Sequence, residues 1–409
     1  MISVDTAALA ASLRSLPDNP RVVVSGNHCV PWELVRHLDE QVERYVLHLL
    51  NGPTGLPERE GVTAETCFVG VGQRRHPGLR YIPSRLSLVP VLFHEELPVD
   101  VVLLHCAPPR DGLVSLGIEV NVLPAAIEAC RARGGLVVAQ VNDRMPFTYG
   151  DALVPVGHID LAFEASSPLP SPPAGAPLGE EALAIGERVA AMVPDGATLQ
   201  MGIGAVPDAV LAALTGHHGL RLWTEMFSDG VLALDAAGAL DADHPLTTSF
   251  LFGSPELYAW LDGNRRVHLQ RTERTNAPSL IAQQRLMTSI NTALEVDLFG
   301  QANASRINAR IHSGIGGQTD FIVGALHSPG GQAIMALRSW HPKADVSTIV
   351  PLIDEPVTSF QASAIVTEQG VAPLLGRSER EQAAALIDQA AHPRVREDLW
   401  EEAHHLGLA

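Results

Sequence analysis

Short apolar runs alternate with amphipathic stretches along most of the chain. Arg21–Ser25 (RVVVS), Asp100–Cys106 (DVVLLHC) and Leu136–Val141 (LVVAQV) are too short for free-standing helices and are apolar on both faces. That pattern predicts buried parallel strands. Trp32–Val42 and Pro124–Arg133, which lie between them, carry apolar positions at helical spacing. Strand, helix and strand in this order form the βαβ signature of an open α/β sheet. Then the pattern breaks. Ala165–Pro177 (ASSPLPSPPAGAP) has no charge and is dominated by Pro, Ser, Ala and Gly, so it sustains neither a helix nor a central strand and reads as an extended linker. Beyond it the alternation resumes, with helices predicted over Gly179–Met192 and Glu379–Ala391 and strands at Ala197–Met201, Arg221–Glu225, Val267–Gln270 and Ala333–Leu337. The expected architecture is α/β: two open α/β domains with mainly parallel sheets, an N-terminal domain at 1–165, a Pro-rich linker at 166–178 and a C-terminal domain at 179–409.

Composition narrows the function. With 409 residues, the chain is long enough for two domains, and 46% apolar against 18% charged residues is a globular balance. The 28 basic and 46 acidic side chains leave a net charge of −18, which argues against nucleic acid or an anionic membrane as partner. A small anionic ligand stays open, because backbone amides and a few local cations suffice to hold one. Cys29, Cys67, Cys106 and Cys130 form no CxxC pair and read as buried, reduced thiols. The N-terminus lacks a basic region before an apolar core, and no apolar run is long enough to span a bilayer, so the cytoplasm is the expected location. The 17 histidines fall into no HExxH or Cys/His spacing; they read as solvated, and no metal site is expected.

Three segments are candidates for chemistry. Gly202-Ile203-Gly204-Ala205-Val206-Pro207 follows a strand and opens a helix predicted over Pro207–Leu214. Amides freed at such a turn bind an anion or a developing oxyanion, although a tight turn without a ligand fits the same residues. Ser313–Phe321 (SGIGGQTDF) packs Gly314, Gly316 and Gly317 into four residues, which leaves the backbone open to close approach by a ligand. Neither loop continues into GK[ST], so a Walker phosphate loop is excluded. Trp223–Gly230 (WTEMFSDG) ends a strand with Glu225 between apolar neighbours. A carboxylate there points toward the crevice where α/β ligands bind and serves as nucleophile, general base or ribose-binding group; a helix cap or satisfied ion pair is the alternative.

Taken in order, the segments make a set: GIGxxP, TExxxDG at 224–230, TNxP at 275–278, NTALEVDLxGQ at 291–301, SGIGGQxDF, and VTExG at 366–370. The N-terminal half adds GNxxxPWEL at Gly26–Leu34, YIPxxLSxVP at Tyr81–Pro90, SLG at Ser115–Gly117 and VNxxMPxTxGD at Val141–Asp151, and AHPxxREDLxEEA closes the chain at Ala391–Ala403. This series resembles the acetyl-CoA hydrolase/transferase family, the class I CoA-transferase branch that includes 4-hydroxybutyrate CoA-transferase. The resemblance implies two α/β domains with the active site in the cleft between them. It places the catalytic glutamate at Glu225, a catalytic asparagine at Asn276 and glycines that hold the thioester and CoA at Gly316 and Gly317; beside them, the amides of Gly202, Ile203, Gly204, Ala205 and Val206, with Gly314 and Gln318, complete the candidate CoA-binding or oxyanion-holding set. Acyl-CoA and carboxylic acids are then the expected substrates, with no permanently bound cofactor, and a homo-oligomer, a dimer, is the expected assembly. The implied reaction moves CoA through an acyl-glutamyl anhydride and a glutamyl-CoA thioester.

The chain departs from the family pattern around the substrate. Phe147 stands where the family reads arginine in MPRT, Thr348 stands where an arginine precedes IVP, and Ser359 and Ala364 replace an Arg and a Tyr before VTE. Fewer cations weaken the hold on a carboxylate or a phosphate. The core chemistry is therefore expected to be kept and the substrate pocket altered. Two other functions compete with transfer: acyl-CoA hydrolysis or acyl transfer to a non-carboxylate acceptor on the same scaffold, and CoA binding without turnover.

Overall fold

The computed structural model describes residues 1–173 and 177–409. It divides into two compact α/β units, each with its own mainly parallel sheet. The first comprises Met1–Pro173, Leu246–Thr275 and His312–Gly316; the second comprises Ala174–Pro245, Asn276–Ile311 and Gly317–Ala409. The units are thus not the continuous halves that the linker suggested, because two segments of the C-terminal half pack with the first unit.

The first unit is built on an eight-stranded sheet of β1 (Ile2–Ser3), β2 (Arg21–Val24), β3 (Tyr45–His48), β4 (Val62–Thr66), β5 (Leu79–Tyr81), β6 (Val101–Cys106), β7 (Leu136–Val141) and β8 (Leu161–Glu164). Their spatial order is β1-β8-β7-β6-β2-β3-β4-β5, and every neighbouring pair is parallel. All six residues of β6 are buried, which is why its sequence shows an unbroken apolar run rather than alternation. Helices α1 (Trp32–Gln41) and α2 (Leu123–Ala132) occupy the predicted places; α2 starts with Pro124 in its first turn, where the missing N–H has no intrahelical partner to lose. Val22, Leu34, Leu38, Leu47, Leu103 and Val138 share one apolar core.

Several expectations meet corrections here. Val267–Gln270 was expected in the C-terminal sheet, but Val267–Leu269 lies in the first unit, parallel to Leu246–Thr248 and to Tyr149–Gly150. The Pro-rich run is docked at Ser167 and Pro170. The Asn142 side-chain amide donates to Ser167 O at 2.9 Å and the Tyr258 hydroxyl to Pro170 O at 2.7 Å, so tertiary bonds rather than composition fix the path of this segment. The rest of the predicted linker, at 174–176, lies outside the described residues. The histidines are not uniformly solvated either. His37, His48, His76 and His105 are buried, and all four take polar partners: His37 Nε2 lies 3.4 Å from the Arg36 guanidinium, His48 Nδ1 3.0 Å from Glu65, His76 Nε2 2.8 Å from Pro57 O, and His105 Nε2 3.0 Å from the Asn142 amide. All four cysteines are free and buried, and burial pushes the thiols of Cys67, Cys106 and Cys130 up to about 12, which leaves them inert.

The second unit carries a six-stranded sheet: β9 (Thr198–Gln200), β10 (Arg221–Leu222), β11 (Met287–Asn291), β12 (Gln332–Ala336), β13 (Ala364–Val366) and β14 (Val371–Pro373). The order is β10-β9-β11-β12-β13-β14, parallel except for the β13–β14 pair. Around it lie α3 (Glu180–Ala190), α4 (Ala205–Ala213), α5 (Gln318–His327) and α6 (Glu379–Ala385). The predicted long helix over Glu379–Ala391 opens with a Ser378/Glu381 capping box and passes after Ala385 into a π-helical turn, Leu386–Ala390. Among the described residues no helix is long and apolar enough to cross a membrane.

Candidate active site

The predicted strand Arg221–Glu225 leaves the sheet after Leu222, so Glu225 sits just past a strand end. Its approach is fixed from both sides. The Trp223 N–H donates to Leu199 O at 3.1 Å, and the Trp223 side chain packs on Ile281, Met287, Phe321 and Ala325. Thr224 is fully buried; its Oγ1 accepts from the Met201 N–H at 3.3 Å and lies 2.9 Å from Met226 O. Two anchored neighbours leave Glu225 little choice of direction.

At the carboxylate the second unit brings three of the sequence candidates together. The Asn276 side-chain amide donates to Glu225 Oε2 at 2.8 Å, and Asn276 is fully buried. Gly317 lies so close that a Cβ added to it would stand 2.0 Å from Glu225 Oε2 and 2.2 Å from Asn276 Nδ2. Its φ of −98° is open to any residue, so glycine is required here by proximity, not by backbone conformation. Gly317 is also the N-cap of α5, whose first-turn amides lack intrahelical partners and carry the positive end of the helix dipole. Glu225 thus faces a set of donors suited to negative charge.

The electrostatics are nonetheless divided. Burial is the largest influence and raises the Glu225 pKa to about 7; the Asn276 hydrogen bond opposes it, and the charge of Asp320 adds to it. Asp320, buried in the first turn of α5, is a contributor that sequence reading passes over, since an acid there looks like an ordinary helix-start residue. Near neutral pH the carboxyl is poised between its two forms, as acid–base and nucleophilic catalysts often are.

The first glycine loop is open. Gly202 and Gly204 have no atoms within 4 Å of an added Cβ, and Ile203, Gly204 and Ala205 are exposed. Gly204 has φ +119°, which L-residues rarely adopt, and it caps α4 two residues earlier than the predicted start at Pro207. Val206 is half-buried in the first turn of that helix. Gly314 and Gly316 belong to the first unit. There the Val69 N–H donates to Ser313 O at 2.8 Å and the Leu86 N–H to Gly316 O at 3.0 Å, while a Cβ on Gly314 would stand 2.7 Å from Cys67 O. The Gln318 side chain turns to the sulfur of Met335 at 3.7 Å, so what it offers near Gly317 is its backbone amide.

Of the departures, Phe147 is buried with the Arg110 guanidinium 4.6 Å over its ring, and Thr348 is buried with its hydroxyl donating to Arg338 O at 2.6 Å. Ala364 is buried in β13, and Ser359 is exposed. Two of the four positions that lack the family's large polar groups are thus filled by packed apolar side chains.

Comparison with known proteins gives the family and the fold. Residues 253–403 match the model of the acetyl-CoA hydrolase/transferase C-terminal domain. The chain is 39% identical over 390 residues to the 4-hydroxybutyrate coenzyme A transferase of Clostridium kluyveri, covering 90% of this chain and 89% of that one. It is 34% identical over 209 residues to the acetyl-CoA hydrolase of Saccharomyces cerevisiae, covering 48% of this chain and 38% of that one. The solved 4-hydroxybutyrate CoA-transferase of Porphyromonas gingivalis superposes with a TM-score of 0.81 at 30% identity, covering 99% of this chain and 98% of that one. The ordered motifs, the two α/β units and these likenesses agree, and the chain belongs to the acetyl-CoA hydrolase/transferase family of enzymes.

Proposed function

We propose that the protein is a CoA-transferase that moves CoA between an acyl-CoA and a carboxylic acid, with Glu225 as the covalent carrier. One observation carries the reading: the Glu225 carboxylate is held 2.8 Å from the Asn276 amide, against a glycine that leaves no room for a Cβ. In the first step a Glu225 carboxylate oxygen attacks the thioester carbon; the acyl-glutamyl anhydride forms and CoA leaves as thiolate. The thiolate then attacks the glutamyl carbon, releasing the first acid as its carboxylate and leaving a glutamyl-CoA thioester. A second carboxylate runs the two steps in reverse, so each broken thioester is matched by one formed. Confinement gives the weak carboxylate nucleophile a high effective concentration. The Asn276 amide, the α5 amides that follow Gly317 and the open 202–206 loop supply donors for the oxyanions.

The similarity to the yeast acetyl-CoA hydrolase supports a second reading, in which Glu225 acts as general base toward water. Covalent loading separates the two. Incubation with acyl-CoA alone is expected to attach CoA to Glu225, giving a hydroxamate with hydroxylamine and an alcohol with borohydride, both located by peptide mass. Glu225→Gln is expected to abolish loading. Acid release by the wild type with no adduct would favour hydrolysis, and full transfer by Glu225→Gln verified free of deamidation would refute both roles.

A further inference from the structure

In the first unit a cavity of about 440 Å³ opens between the loop after β6, the loop after β7, the docked Pro-rich segment and the helix Pro255–Leu261. Its size falls in the roughly 300–1,000 Å³ of small-molecule sites. One part of its wall is apolar: Pro108, Pro146, Pro168 and Pro255 line it together with Met145 and Leu169. Proline walls lose almost no conformational freedom when a ligand packs on them. The polar groups are Arg110, Asp143, Arg144, Ser171, Tyr258 and Asp262, and they differ in state. Arg110 is committed to the wall, its Nη2 donating to Asp262 at 3.3 Å and its guanidinium lying over the Phe147 ring. Asp262 is committed too, since the same oxygen accepts the Phe147 N–H at 2.8 Å. Arg144 is different, for among the described residues its guanidinium makes no ion pair or side-chain hydrogen bond.

We propose that this cavity is a binding site for a short aliphatic monocarboxylate, with Arg144 taking the carboxylate and the proline-lined walls taking the alkyl chain. A guanidinium presents five donors in a planar fork that matches a carboxylate, and Arg110 keeps donors beyond the one given to Asp262. Asp143, also on the wall, repels a second negative charge, which selects a monoanion over a dicarboxylate or phosphate. Leu169 belongs to the segment held by the Tyr258 hydroxyl, so occupancy should steady that segment as well. The cavity is lined by residues of the first unit alone, and the proposal does not depend on how Glu225 works.

The test uses the full chain carrying Glu225→Gln, which removes turnover. Butyrate is titrated by calorimetry, with butyramide and inorganic phosphate as comparison probes, and amide hydrogen exchange is followed at 168–171. Butyrate is expected to bind saturably and slow exchange at Leu169 and Ser171, with butyramide and phosphate at least fivefold weaker. Adding Arg144→Met is expected to weaken the butyrate event at least fivefold, Arg144→Lys less, and Leu169→Asp to remove it. Both positions are at the surface or its edge, so circular dichroism should show the fold retained. Butyrate affinity and protection unchanged in Arg144→Met and Leu169→Asp would overturn the site, and phosphate binding as tightly as butyrate would overturn its ligand class.

Discussion

Glu225 shows how one side chain sets two pH dependences. In the proposed mechanism its carboxyl must be ionised to attack, and burial raises its pKa to about 7 from an ordinary 4.5. On the acid limb kcat/KM for transfer is therefore expected to rise tenfold per pH unit and to level off near pH 7, as a pH–rate profile would show. Stability runs the other way. The folded state binds this proton more tightly than the unfolded chain does, so ionisation in the fold is penalised: the cost is absent below about 4.5, grows between 4.5 and 7, and is constant above. Glu225→Gln is expected to be more stable than wild type by up to ~3 kcal/mol at pH 8 and to lose that advantage by pH 4, as denaturant titrations at both pH values would show. Gly317 offers a purely steric test. An alanine methyl must displace the Glu225 carboxylate or the Asn276 amide, whereas its φ of −98° suits alanine. Gly317→Ala is expected to lose about a hundredfold in kcat, the cost of misplacing a reacting group by about 1 Å, with Tm within a few degrees of wild type.

At the scale of elements, how much the sequence reveals depends on how local the determinants are. Buried parallel strands such as β2, β6 and β7 declare themselves by continuous apolar runs, and α1 and α2 by their spacing, so these fall within a residue or two of prediction. Glu225 is legible beside a strand end and Gly317 in a glycine turn, whereas Asn276, between the short helices Thr272–Thr275 and Pro278–Ile281, is legible only through the ordered set of motifs. Their bonding was hidden, because residues 51 and 41 positions apart meet only once Trp223, Ile281 and Phe321 share a core cluster. The destination of Val267–Leu269 was hidden for the same reason: its partners Leu246–Thr248 and Tyr149–Gly150 are chosen by tertiary packing, not by its own alternation. The turn into α4 is a local determinant that can be probed alone. Gly204 holds φ +119° with open space around it, so Gly204→Ala meets no clash and suffers only backbone strain. A loss of about 1–3 kcal/mol is expected, read as a lower denaturation midpoint at unchanged slope. A midpoint equal to wild type would show that the loop readily takes another conformation.

For the whole molecule, the two discontinuous units make a claim that fragments can test. If residues 1–173 were a self-sufficient domain, they would fold alone. Within the first unit, however, the Val120 N–H donates to Ser249 O at 3.0 Å, the Leu251 N–H to Ile118 O at 2.9 Å, and the Thr272 N–H and hydroxyl each bond Asn121 at 3.0 Å. Arg271 grips Glu128 through two bonds of 2.7 and 2.9 Å, and the loop after β4 is bonded to Ser313. Asn121 and Glu119 are buried, so losing the segments at 246–275 and 312–316 would strip partners from interior polar groups and uncover apolar surface together. A buried polar group left unsatisfied costs about 1–3 kcal/mol, and several such losses consume most of the roughly 5–15 kcal/mol that holds a domain folded. Residues 1–173 expressed alone are therefore expected to show no cooperative thermal transition and weak near-ultraviolet dichroism, whereas the full chain shows both. A sharp transition in the isolated fragment, with native-like dichroism, would mean that the later segments decorate the first unit rather than complete it.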